Sequence, residues 1–303
     1  MRTSGCTERG HHANIPLPEN PSLEHLKKQA KLVQNLVQGG DAGGLDLVAE
    51  FHPRLAVGAD VSGFRRSDAQ LVVARLYGFA SWTQLRDHLA VVDRLGRHDH
   101  ASDDPGDLFV ATACLTYEAV DPNDEIVRAH AMLERDPSLA ISSIAALATV
   151  GDHQRLRDLL DADPAASEER RGPHGWPPIL CCAYSRISTD NPSWSSTACA
   201  EALLEAGEEA NSGFLWHGLV PPFTALTGAL GGGECDEPPH PDRDKLARLL
   251  LEAGADPNDG QGLYNNGLAG TAIDDPSHLI LVHNYGLGTD GNGPWYHRLG
   301  ATS

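Results

Sequence analysis

The stretch LLEAGADPN, residues 250–258, has three relatives elsewhere in the chain: MLERDP at 132–137, LLDADP at 159–164 and LLEAGEEAN at 203–211. A worn copy, LVHNYGLG, lies at 281–288. Each reads as the end of a helix. Two large residues put a ridge on the core side, the acid after them faces water, and the small residue or glycine next to it supplies a left-handed turn. Ahead of the copies lie shorter apolar runs, LFVATACL (108–115), IAALATVGD (144–152), ILCCAYS (179–185) and TALTGAL (224–230). The copies recur at intervals of roughly 27 to 47 residues. A helix pair of that size cannot close its own core and must stack on its neighbours. The pattern predicts an all-α helical solenoid over 106–303, with about five units. The last, ending in GPWYHRLGATS, lacks a second helix and has no obvious polar cap.

Upstream, residues 1–21 are polar and proline-bearing and predict a disordered arm. Residues 22–97 predict a small helical module. Its first helix starts at Ser22 and aligns Leu23, Leu26, Ala30, Val33, Leu36 and Val37 before Gly39-Gly40. Three more helices are expected at 45–52, from 67 to Gly78, and after Ser81. Residues 98–105 are polar and rich in breakers, and predict a linker.

LLEAGADPN resembles the second-helix ending of ankyrin repeats. GWPPILCCA (175–183) resembles their G-x-T-P-L-H-x-A opening through Gly175, Pro178, Ile179 and Ala183. The resemblance covers about 106–298, and it departs at Pro177 and Leu180, where Thr and His are usual, and at Ala225, where Pro is usual. Lost Thr and His side chains imply weaker capping. The resemblance also implies that the protein binds another protein through loop tips and first helices, here around Trp176, Tyr184, Trp216 and Phe223. The module at 22–97 is similar to a short helical element that precedes ankyrin repeats in many bacterial proteins, which implies no activity of its own and a bacterial source.

Charge narrows the partners. Residues 1–100 carry 12 Lys and Arg against 11 Asp and Glu, while 101–303 carry 11 against 31, within a net charge of −19. Such an acidic surface disfavours nucleic acid and anionic membranes, and suits a protein partner with a basic or apolar patch. Six cysteines without CxxC spacing read as free thiols, and no signal-like or membrane-spanning run is visible. These features predict a cytoplasmic protein.

Signs of chemistry have simpler readings. Gly286, Gly288 and Gly291 spell G-x-G-x-x-G but come after a helix, where a dinucleotide site needs a strand before them. Cys181 and Cys182 with His174 or His217 make a conceivable thiol–base pair, yet both cysteines occupy small core positions. His11, His12, His98 and His100 do not form a four-ligand metal set, and Asp103, Asp104 and Asp107 lack calcium-loop spacing and read as solvated linker. The expectation is a non-catalytic interaction scaffold without cofactor or metal. One alternative is a DNA-associated regulator, with 67–89 as a helix-turn-helix presenting Arg86 and His88, against which Trp82 reads more simply as an anchor locking the two helices together than as a nucleic-acid contact. Another is an enzyme with its site in the inserts at 186–197, 212–222 and 231–243. The loop aromatics Trp194, Phe214, Trp216, Phe223 and Tyr264 either fold back into the core or form an exposed patch.

Overall fold

The computed structural model describes residues 17, 22–95, 102–117, 121–170, 175–188, 191–216, 222–233, 237–268 and 276–289. Those residues build fourteen α-helices and one pair of two-residue strands, so the described fold is mostly helical, consistent with an all-α protein. None of the described helices is long and apolar enough to cross a membrane. The chain divides into two compact units between Asp93 and Arg94. The arm expected at 1–21 lies, apart from Leu17, outside the described residues, as do His11, His12, His98, His100, His174, His217 and Gly291.

The first unit holds α1 (Leu23–Gln38), α2 (Ala42–Phe51), α3 (Arg66–Leu76) and α4 (Trp82–Leu95). Helix α1 buries Leu26, Ala30, Val33 and Val37, the helical spacing legible in the sequence. Helix α2 begins at Ala42, ahead of the expected 45, because the Asp41 carboxylate accepts the Gly44 N–H at 2.9 Å and caps it. Asp68 does the same for the start of α3, accepting the Arg65 N–H at 2.8 Å. Trp82 lies partly buried against this core.

The second unit holds α5 (Pro105–Ala113), α6 (Pro122–Arg135), α7 (Ile144–Val150), α8 (His153–Ala162), α9 (Pro178–Tyr184), α10 (Ser196–Glu205), α11 (Ala225–Leu230), α12 (Arg243–Glu252), α13 (Gly260–Leu268) and α14 (Ser277–Asn284). The odd-numbered helices touch in succession, α5 to α7, α9, α11 and α13, and form one row. Helices α8, α10, α12 and α14 form a second row, and α7/α8, α9/α10 and α11/α12 join the two. Asp104 caps α5 by accepting the Gly106 and Asp107 N–H groups, so the acidic cluster read as solvated linker is partly a helix start.

The repeated helix endings are of two kinds. After α10 and α12 the chain turns left-handed at Gly207 (φ 103°) and Gly254 (φ 94°), as the sequence implies. After α6 and α8 it does not. There Asp136 and Asp163 are extended, and their carboxylates accept from Ser138 and Ala165 to open a 3-10 turn at the next proline. An Asp-Pro pair can stop a helix because the proline lacks an N–H and the aspartate caps the next turn, without any left-handed residue.

The later endings also carry a repeated link to the next unit. Asn211 Oδ1 accepts the Asp256 N–H at 2.8 Å while its Nδ2 donates to Gly254 O at 2.9 Å, and Asn258 Oδ1 accepts the Gly288 N–H at 2.9 Å. Asn211 and Asn258 are the final residues of LLEAGEEAN and LLEAGADPN, so one position makes one bond in two successive units. Asn258→Ala is expected to cost about 1 kcal/mol. Faster hydrogen exchange at Gly288, with protection at Asp256 unchanged, checks that the link acts on its own unit boundary.

Candidate binding site

Helix α9 is Pro178-Ile-Leu-Cys-Cys-Ala-Tyr184, and all seven residues are buried. An apolar run without a polar face fits only the middle of a stack, with neighbours on every side. At its end the Tyr184 ring meets Trp176, with ring centres 5.2 Å apart, and Phe214 at 5.5 Å. Phe214 stacks on Phe223 at 5.4 Å, brought there by the antiparallel pairing of β1 (Gly213–Phe214) with β2 (Phe223–Thr224). Tyr117 closes the cluster against Phe223 at 4.8 Å.

Three of the four residues expected to contact a partner therefore converge, but inward. Trp176, Tyr184 and Phe223 are 3%, 0% and 6% exposed and offer no surface, while Trp216 is partly buried against the same core. Of the two readings of the loop aromatics, folding back describes Phe214 and Phe223, and Trp194 and Trp216 lie partly buried against the same core. Tyr264 is 51% exposed.

Beneath the rings sits a polar network that the sequence did not mark. Arg186 is buried, and its guanidinium donates to four backbone carbonyls, Pro238 O at 2.8 Å, Gly228 O at 2.9 Å, Ser185 O at 3.0 Å and Ala183 O at 3.1 Å. Burial lowers its pKa from the usual value, partly offset by the Tyr117, Cys114 and Tyr184 side chains around it. Beside it, burial and the Arg186 charge push His240 down to about 3. His240 is thus neutral, with Nδ1 accepting the Asp242 N–H and Nε2 donating to Cys182 O, both at 2.9 Å. Asp259 caps α13, accepting the Gln261 and Gly262 N–H groups, and takes hydroxyl bonds from Thr224 and Thr227. Burial raises its pKa against those bonds. Tyr184 donates to Thr224 O at 2.7 Å, which joins the rings to this second group.

The cluster supports a pocket of about 320 Å³ lined by Thr112, Leu115, Thr116, Tyr117, Ile126 and Glu237, among others. Tyr117 is the one non-glycine residue with positive φ (57°) among those described, a conformation that costs roughly 1–2 kcal/mol. Its hydroxyl donates to Gly232 O at 3.1 Å, and burial pushes its pKa up to about 12. The strained backbone holds one face of a neutral phenol ring against the pocket.

A second pocket, about 510 Å³, is lined by Ser167, Glu168, Arg170, Pro177, Glu208 and Ser212, among others. Pro177 occupies the N-cap of α9 without a side-chain cap, and Glu208 compensates by accepting the Ile179 N–H at 3.2 Å. Glu208 thus supplies the cap that Pro177 cannot, at the position where LLEAGADPN carries Ala255. Its Oε1 is buried without a partner. Burial pushes the carboxyl up from 4.5 to about 7, against the Ile179 bond and the Arg170 charge. Between those values the folded protein holds a proton that the unfolded chain has released, so this contribution to stability is full below pH 4.5 and is lost as pH rises through about 7. Glu208→Gln keeps the acceptor and removes the titration. It is expected to flatten that slope and to add on the order of 1–2 kcal/mol at pH 8, checked by urea melts across pH.

Other candidate chemistry is turned inward. Contact with Cys114 and burial hold the Cys181 thiol well above its ordinary pKa, and burial with Cys199 does so for Cys182, which makes both poor nucleophiles. On α4, His88 packs half-buried with its ring centre 5.0 Å from that of Phe79, while Arg86 stays exposed, 3.2 Å from the Asp87 carboxylate. Gly286 and Gly288 form the left-handed turn that ends α14.

No protein-family model, curated protein or solved structure matches the chain.

Of the polar groups in this region, Glu208 had a signal in the sequence, an acid at a small-residue position beside a missing cap. Arg186 and His240 had none, because both lie in inserts where only the aromatic residues stood out.

Proposed function

We propose that residues 106–298 form an ankyrin-type solenoid whose role is to bind another protein, without catalysis. The observation that carries this is the Asn211 and Asn258 link, the same residue at the same place in two copies bonding the next unit. Repeats are held by their nearest-neighbour interfaces, and such a link at two successive boundaries, beside two rows of stacked helices, supports that reading. With Trp176, Tyr184 and Phe223 committed to the core, binding moves to the rim of the Tyr117 pocket, where Thr116 and Ile126 are half-buried and Val127, on the same helix as Ile126, is 68% exposed. The excess of acids over bases in 101–303 favours a partner carrying basic residues around an apolar contact.

The test uses the full chain as bait in lysate of its native cells, beside a Thr116→Arg/Val127→Asp bait of unchanged circular dichroism and melting. A protein retained by the first, lost by the second and cross-linked near 112–128 supports the assignment. A partner retained equally by both, with cross-links confined to 22–93, removes it from the second unit.

A further inference from the structure

Helix α1 places Lys27, Lys28 and Lys31 within two turns, and Arg66 at the start of α3 donates from Nη1 to Lys27 O at 3.3 Å. With Glu24 and Gln70 they line a groove of about 340 Å³. Four cations thus face one acid, and that acid lies 3.7 Å from Lys28. Among the described residues no carboxylate comes within ion-pair distance of Lys27, Lys31 or Arg66. Asp68, two residues after Arg66, is engaged elsewhere, accepting the Arg65 N–H at 2.8 Å and lying 3.5 Å from His52 Nε2. Lysines one turn apart repel each other, so the cluster costs stability that a bound anion would return.

We infer that the groove between α1 and α3 is a docking site for a phosphorylated segment of a partner protein. A phosphate dianion brings three acceptor oxygens to one point, which matches three ammonium groups and a guanidinium around a single groove. Long polyanions fit less well, because residues 1–100 carry eleven acids beside their twelve bases and offer no broad excess of cations past the patch. A peptide gains a second contact from Leu32, which is 58% exposed one residue beyond Lys31 and one turn beyond Lys28. This surface belongs to the first unit and is independent of the binding proposed for the second.

The probe is a short fluorescent alanine-based peptide with one phosphoserine and one leucine, titrated into the full chain at low salt. Its unphosphorylated twin and a short DNA duplex run in parallel. The phosphopeptide is expected to bind roughly tenfold tighter than its twin and than the duplex. That preference is expected to disappear in Lys27→Glu/Lys31→Glu, whose side chains are exposed and whose melting should be unchanged. Equal binding of the two peptides, or binding that survives the double substitution, overturns the proposal. Tighter binding of the duplex, lost in the same variant, overturns it in favour of nucleic acid.

Discussion

Arg186→Ala is expected to destabilise the second unit by about 3–5 kcal/mol, the largest effect of any single substitution considered for this protein. The arginine brings a charge into the interior without a carboxylate at ion-pair distance among the described residues, and a set of four carbonyls holds it there. Removing the side chain leaves those acceptors facing a cavity. Each buried acceptor without a donor costs about 1–3 kcal/mol, and rearrangement around Gly228 and Pro238 recovers only part of that. Arg186→Lys keeps the charge but loses the planar fork, and is expected to retain less than half of the stability. Urea denaturation monitored by tryptophan fluorescence measures both. A loss below about 1 kcal/mol for the alanine variant would show that the carbonyls find other donors and that the network is not structural.

Gly228→Ala is expected to cost about 2–3 kcal/mol, although alanine is ordinarily the better helix former. A Cβ at position 228 would lie 2.6–2.9 Å from three atoms of the Tyr184 ring. That ring cannot step aside, because its hydroxyl is tied to Thr224 O and its faces meet Trp176, Phe214 and Tyr117. The explanation is separable from any intrinsic dislike of the position. In a Tyr184→Leu background the clash is absent, and Gly228→Ala should there cost less than about 0.5 kcal/mol. An undiminished cost in that background would place the origin in the α11 backbone.

Much of the framework was legible because it repeats. The helix endings at 159–164, 203–211 and 250–258 fall at the ends of the second-row helices α8, α10 and α12 and that at 132–137 at the end of α6, and the apolar runs before them coincide with α5, α7, α9 and α11 to within a few residues. Helix α13 was not legible. Its sequence, GQGLYNNGL, carries three glycines and no apolar ridge, and it is made a helix by the Asp259 cap and by its seat against α11. Tertiary contact here overrides a weak local propensity. The Asp-Pro endings differ from the expected turn for a related reason. A capped 3-10 turn and a left-handed glycine both end a helix, and they part only in the direction the chain takes afterwards.

The site was less legible than the frame. Aromatic residues in a glycine- and serine-rich insert have the same composition whether they face in or out. The two-residue strand pairing that turns Phe214 and Phe223 inward is too short to leave a periodic signature. Arg186 is illegible for a deeper reason, because its partners are carbonyls, and every residue has one. The lysines of α1 could be seen individually, but their grouping with Arg66 depends on the packing of α3 against α1, which no local pattern shows.

The asparagine links and the arginine network divide the second unit mechanically. A stack joined only at neighbouring boundaries peels from its end, one pair at a time, as each link lets go. Pulled from the C-terminal side, α14 and α13 come away this way, with the Asn258 and Asp259 contacts as the fasteners. Beyond them the chain meets Arg186, whose guanidinium grips α9, α11 and the loop before α12 together and whose own N–H is bonded to Ala113 O at the end of α5. Four segments distant in sequence share that one clasp, so the middle of the stack yields as a block. The protein behaves under load as a short zipper sewn to a rivet.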